Sequence, residues 1–255
     1  MSQKHRKAFV SWSGGKDSAL ACYNAIKNDG IEIAYLLNML SENGTHSRSH
    51  HLSVAVLKAQ AEAMGIPIVQ RQARWGDYEE EFKKALAVFK EEGVQTGVFG
   101  DIDVQEHRDW VERVCSESGL NAILPLWQRS REPLMGEFIA AGFKAVIVAV
   151  NPARNRLPRA AVDVVNSKEL GLKEHGISNG VKLECMGSVW LGRQLDRQFV
   201  EDMKRLPQVD LCGENGEYHT FVYDGPIFKV PVAFSAGDKM HTQTHSFLDI
   251  VLKER

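Results

Sequence analysis

The sequence has no surplus of basic charge. Its 31 lysines and arginines face 33 aspartates and glutamates, for a formal net charge of −2 over 255 residues. That excludes a general nucleic-acid binder, which carries a basic excess to meet phosphates. There is no apolar run of the roughly 18 residues that would read as a membrane span. The start, Met1 to Lys7, is polar and basic with no apolar stretch behind it, so no secretory leader is expected. The four cysteines, Cys22, Cys115, Cys185 and Cys212, show no C-x-x-C spacing. They read as free thiols of a cytoplasmic protein, not as a disulfide frame or a zinc knuckle. Internal repeats and low-complexity stretches are absent too. What remains, 44% apolar and 25% charged residues, is the composition of an ordinary globular protein. The length suits one large domain or two small ones.

The first 150 residues alternate short apolar runs with amphipathic stretches. Ala8–Trp12, Ile31–Met39, Ile66–Gln70, Val94–Ile102, Ala122–Leu124 and Phe143–Val150 read as strands. Ser18–Lys27, Leu52–Met64, Tyr78–Glu92, Val104–Ser118 and Glu132–Ala141 read as the helices between them. This rhythm predicts an α/β fold, a parallel sheet covered by helices on both faces. It breaks after Val150. Asn151–Ser188 is rich in Pro, Gly and Arg and is expected to be a loop or lid over the ligand. Short apolar runs follow, among them Val181–Met186, Thr220–Tyr223 and Ile227–Val232. The expected division is therefore residues 1–150 for nucleotide binding and 151–255 for a smaller, strand-rich substrate domain.

Ser13-Gly14-Gly15-Lys16-Asp17-Ser18 ends the first strand and opens the first helix. Glycines there let the backbone approach an anion, and N–H groups at a helix start point towards it. Ser13 and Ser18 add hydroxyls, and Lys16 adds a point charge. The turn suits a phosphate. Val10 and Asp17 stand where a Walker A loop needs Gly and Ser or Thr, and G-x-G-x-x-G is also missing.

In this setting SGGKDS resembles the PP-loop of the ATP pyrophosphatases, whose fold is that of the adenine nucleotide alpha hydrolases. Further runs narrow the likeness: Phe99-Gly100-Asp101-Ile102, Glu106 to Cys115, Pro125-Leu126-Trp127, Ala141-Gly142-Phe143, Trp190-Leu191-Gly192-Arg193, and Gly213 to Thr220, which reads GENGEYHT. Together they are similar to the diphthine–ammonia ligase family. The resemblance implies an ATP-dependent amide ligase. The substrate carboxylate would attack the α-phosphate, pyrophosphate would leave, and ammonia would displace AMP from the acyl-adenylate. ATP, Mg²⁺ and free ammonia are the implied small molecules. The acceptor implied is diphthine on an elongation factor, and a homodimer is the assembly expected.

Asp101 and Asp103 follow a strand at the ligand edge, where one or two carboxylates would serve Mg²⁺ on the pyrophosphate. The alternative for Asp103 is a helix cap. Arg108, one turn into the next helix, reads as a phosphate or carboxylate clamp, or as a solvated surface arginine. His46, Arg48, His50 and His51 form a polar loop that borders the nucleotide. His241 and His245 lack the partners of a zinc site. In the Gly213–Thr220 run, Glu214, Asn215, Glu217 and Tyr218, with Trp190, are expected to hold the acceptor's cation. Glu217 or His219 is expected to take the proton that ammonia loses. The rival readings are a tRNA-modifying enzyme of the same superfamily and a non-catalytic ATP sensor.

Overall fold

The computed structural model describes residues 6–151, 188–206 and 209–253. Val181–Met186, Cys185 and all of the expected lid except its two ends lie outside the described residues. The elements in chain order are Lys7–Ser11 (β1), Lys16–Asp29 (α1), Glu32–Leu40 (β2), Val54–Met64 (α2), Ile68–Gln72 (β3), Tyr78–Glu91 (α3), Thr96–Val98 (β4), Gln105–Glu117 (α4), Asn121–Ile123 (β5), Arg131–Ala140 (α5) and Lys144–Val150 (β6). After the gap come Arg197–Lys204 (α6), Tyr218–Asp224 (β7), Phe234–His241 (β8) and Ser246–Leu252 (β9).

Five strands form a parallel sheet in the order β3-β2-β1-β4-β5. The side-chain alternation in β1 shows why it is covered twice. Ala8, Val10 and Trp12 pack with Leu20 of α1 and Leu57 and Met64 of α2. Phe9, pointing the other way, packs with Phe82, Leu86 and Phe89 of α3 and Val114 of α4. Its ring lies 5.5 Å from that of Phe89 and 5.8 Å from that of Phe99. A parallel sheet buried on both faces is the expected fold class. The chain runs outward from β1 to β3, then returns to place β4 on the other side of β1. The crevice between the loops after β1 and β4 is thus a topological switch point, where ligands bind in such sheets.

A second sheet is antiparallel, in the order β7-β6-β9-β8. Its presence bears out the strand-rich second part, with two corrections. Lys144–Val150, which the alternating rhythm assigns to the parallel sheet, is a central strand of this second sheet. Its uninterrupted apolar run fits either sheet, because a central strand is buried on both faces. Ile227–Val232, read as a strand, is irregular. β8 and β9 supply the outer strands instead. The core under α1 and α2 continues through Val146, Ile147, Phe221, Val222 and Leu248, so the two sheets share it. Among the described residues no helix is long and apolar enough to cross a membrane.

Candidate functional site

β1 ends where Asn38 Nδ2 donates to the Trp12 carbonyl at 2.7 Å and Trp12 Nε1 donates to Gln60 Oε1 at 3.0 Å. The chain then turns at Gly14, whose φ of +83° lies in the left-handed region. The Gly14 carbonyl accepts from Gln60 Nε2 at 2.9 Å and from the Val222 N–H of β7 at 3.0 Å. Gln60 Nε2 also reaches the Val222 carbonyl at 2.6 Å. One fully buried glutamine of α2 therefore fastens the glycine turn to the second sheet.

The serines brace the turn from inside. Ser18 Oγ donates to the Gly15 carbonyl at 3.0 Å, and Ser13 Oγ accepts the Gly15 N–H at 3.3 Å. The Lys16 N–H, expected to await an anion, donates instead to Thr220 Oγ1 at 2.9 Å. The Lys16 ammonium lies 2.7 Å from Asp17 Oδ2 and 5.3 Å from the centre of the Tyr218 ring. Burial lowers its pKa, but Asp17, Cys212 and Glu214 outweigh that and leave it raised. Asp17 is raised by burial, against the pull of Lys16, with Asp101 adding to the rise.

The Gly213–Thr220 run meets this turn from the other side. Asp210 Oδ1 accepts the Cys212 N–H at 2.8 Å, and Glu217 Oε1 accepts the Asp210 N–H at 3.0 Å and Asn215 Nδ2 at 3.1 Å. Glu217 is buried, so its carboxylate braces the turn and does not face a cleft. Tyr218 is buried as well, its hydroxyl donating to the Leu211 carbonyl. Trp190 meets Tyr218 edge-on at 6.4 Å and Phe199 at 6.5 Å. These two aromatics pack the second sheet's core. Asn215 is exposed. Glu214 is half-buried in the field of Asp17 and Lys16. Burial first, then Asp17, push its carboxyl up to about 7, against Lys16 and Arg131. His219 is lowered to about 4 by burial, then by Lys16 and His245.

The loop after β4 touches the glycine turn. A methyl group on Gly100 would lie 2.8 Å from the Asp17 carbonyl carbon. Asp101 Oδ1 lies 3.0 Å from His107 Nδ1. Asp103 caps no helix. It pairs with Arg131 Nη2 at 2.6 Å, while Arg131 Nε reaches Asp210 Oδ2 at 2.9 Å. Arg108 turns along its own helix to Glu112 at 2.7 Å and lies 5.0 Å over the Trp127 ring. That is the surface arrangement, not a clamp. Among the described residues no group of three His, Cys, Asp or Glu side chains is gathered to hold a metal. Mg²⁺ on a pyrophosphate needs fewer, one or two carboxylates. Asp103 is taken by Arg131 and Asp17 by Lys16, while Asp101 lies beside the exposed His107. Of these three carboxylates Asp101 is the one at the crevice without a lysine or arginine partner among the described residues.

The structure brings together Lys16, Asp17, Asp101, Glu214 and His219. Sequence reasoning missed two residues that hold them. Gln60 had a signal, a polar side chain on a buried helical stripe with Leu57, Ala61 and Met64. Arg131 had none, since a charged residue opening a helix is commonplace.

Residues 6–122 match the family model described as the diphthamide synthase N-terminal domain, and residues 173–254 match the diphthamide synthase C-terminal domain. The chain belongs to the diphthine–ammonia ligase family. The diphthine–ammonia ligase of Mus musculus is 28% identical over 265 residues, covering 93% of this chain and 86% of that protein. The diphthine–ammonia ligase of Homo sapiens is 27% identical, with the same coverage. That of Saccharomyces cerevisiae is 25% identical, covering 85% of this chain and 33% of that protein. Among solved structures, a predicted subunit of tRNA methyltransferase from Methanocaldococcus jannaschii is 14% identical with a TM-score of 0.36, covering 56% of this chain and 80% of that one. In this diphthine–ammonia ligase family member the N-terminal match spans β1 to the start of β5, and β6 falls between the two matches.

Proposed function

We propose that the protein is an AMP-forming amide ligase that joins ammonia to the carboxylate of diphthine on an elongation factor. The observation that carries this reading is the SGGKDS turn at the switch point of the sheet, with the GENGEYHT run lying against it through the Lys16–Thr220 bond. In the first step a carboxylate oxygen attacks the α-phosphorus of ATP, and the α–β bridging bond breaks. Lys16 and the start of α1 meet the charge that gathers on pyrophosphate. Mg²⁺, when bound, would supply further neutralisation of phosphate charge, and Asp101 is the residue that would hold it. In the second step the ammonia nitrogen attacks the acyl carbon and AMP leaves. The proton lost by nitrogen goes to Glu214. Its carboxyl, raised to about 7, is matched to neutral pH. His219 at about 4 and Glu217 inside its turn are not. Glu214 and Asn215 face the acceptor. The parallel sheet serves ATP and the antiparallel sheet serves the acceptor.

The test is an incubation of the protein with ATP, ammonium and a diphthine-bearing acceptor. AMP, pyrophosphate and an amidated acceptor are expected. Lys16→Ala should lower AMP formation by about a hundredfold or more. ADP and phosphate as the products would reject the reading.

A further inference from the structure

The loop after β2 delivers a residue that this mechanism leaves idle. His50 is nearly buried, and its ring lies over the glycine turn. A methyl group on Gly15 would come within 2.3 Å of His50 Nε2 and 2.9 Å of His50 Cδ2. Glycine is required at position 15 for that reason, because its φ of −98° is open to any residue. The other ring nitrogen, Nδ1, lies 2.9 Å from Ser49 Oγ. The His219 ring is 4.7 Å away. His51, next in the chain, takes a φ of +54° and stacks between His46 at 4.2 Å and Phe247 at 4.4 Å. The loop that carries His50 is therefore fixed to the second sheet, and Nε2 is held at the N-terminus of α1.

An imidazolium there would face Lys16 and the positive end of the helix dipole. Burial first, then His219 and Lys16, hold the His50 pKa well below its usual value, so the ring is neutral at neutral pH. The Ser49 hydroxyl can donate to Nδ1, and the tautomer that accepts there carries its proton on Nε2, the nitrogen over Gly15. A neutral donor adds direction to an anion site without adding a like charge beside Lys16.

We propose that His50 Nε2–H donates a hydrogen bond to a phosphate oxygen of the bound nucleotide, as a neutral third member of the anion site beside Lys16 and the start of α1. This rests on the reading of residues 13–18 as the phosphate loop for ATP. The measurement is calorimetry of the full chain with ATP and with adenosine, for the wild type, His50→Leu and His50→Gln. His50→Leu keeps bulk without a donor and should lose about 10- to 100-fold in ATP affinity while keeping its adenosine affinity. His50→Gln restores an amide donor and should recover most of the loss. Unchanged ATP affinity in His50→Leu overturns the proposal, and so does an equal loss for adenosine, which would make the ring a matter of packing. Nitrogen-15 spectra of the wild-type imidazoles decide without a variant. Nε2 of His50 should carry the proton and shift with ATP but not with adenosine, and a proton on Nδ1 or no shift with ATP overturns the assignment. A wild type that binds no ATP would instead overturn the phosphate-loop reading itself.

Discussion

The hydroxyl of Thr220 accepts a hydrogen bond from the backbone N–H of Lys16 at 2.9 Å, across 204 positions of sequence. A strand of the antiparallel sheet thereby caps a helix of the parallel one. Thr220→Val keeps the shape and removes the acceptor. Loss of a helix cap of this kind costs about 1 kcal/mol, or roughly 2–4 °C in a chain of this size. Thr220→Ser should hold the wild-type melting temperature. Thermal unfolding followed by circular dichroism checks both.

Gln60 makes three hydrogen bonds from full burial, to Trp12, Gly14 and Val222. Gln60→Leu leaves the indole N–H and two carbonyls without that partner. The expected loss is roughly 3 kcal/mol or more, seen as a lower midpoint in urea. An unchanged midpoint would mean that the glycine turn holds itself.

Acid should loosen the junction between the sheets. The folded pKa of His219, about 4, lies below its ordinary value of 6.5, and that of His50 is lowered too. The unfolded chain then binds protons that the folded chain refuses. The contribution is complete above pH 6.5 and is lost as pH falls from there towards 4. The double variant His50→Gln, His219→Gln should show a flatter fall in melting temperature over that window.

Glu214 runs the other way. Its folded pKa of about 7 lies above the ordinary 4.5, so the folded state binds the extra proton. Its contribution is complete below pH 4.5 and is lost as pH rises through 7. Glu214→Gln should gain melting temperature at pH 8 relative to pH 5 while losing amidation. Arg131→Met removes one of the two cations that oppose the rise. The lower limb of the pH–rate profile should then move upward in pH, which measurement of amidation from pH 5 to 9 reads directly.

The parallel sheet was legible because its signals are local. The unbroken apolar run of β1 and the 3.6-period stripes in α3 and α4 appear in any short window. The glycine turn was legible for the same reason, since Ser13, Gly15 and Ser18 bond one another within six positions, although the residues that fasten it to the second sheet are distant. What the sequence hid depends on long-range pairing. Lys144–Val150 has the same apolar run whichever sheet it joins. Glu217 looks like a cleft residue until the Asp210 N–H and Asn215 side chain are seen to claim its oxygen. Arg108 and Arg131 are indistinguishable as letters, yet one follows its own helix and the other ties Asp103 to Asp210.

β6 anchors both ends of the stretch that separates it from the rest of the second sheet. The Gly192 N–H donates to the Ile147 carbonyl at 2.8 Å, and the Ile147 N–H donates to the Arg193 carbonyl at 2.9 Å. Asn151 leaves the strand four positions after Ile147, and Ser188 precedes Gly192 by the same number. The chain departs from and returns to a single strand. A substitution that shifts the register of β6 would therefore carry the Ser188–Arg193 turn with it, because both are hung on the same Ile147 peptide groups.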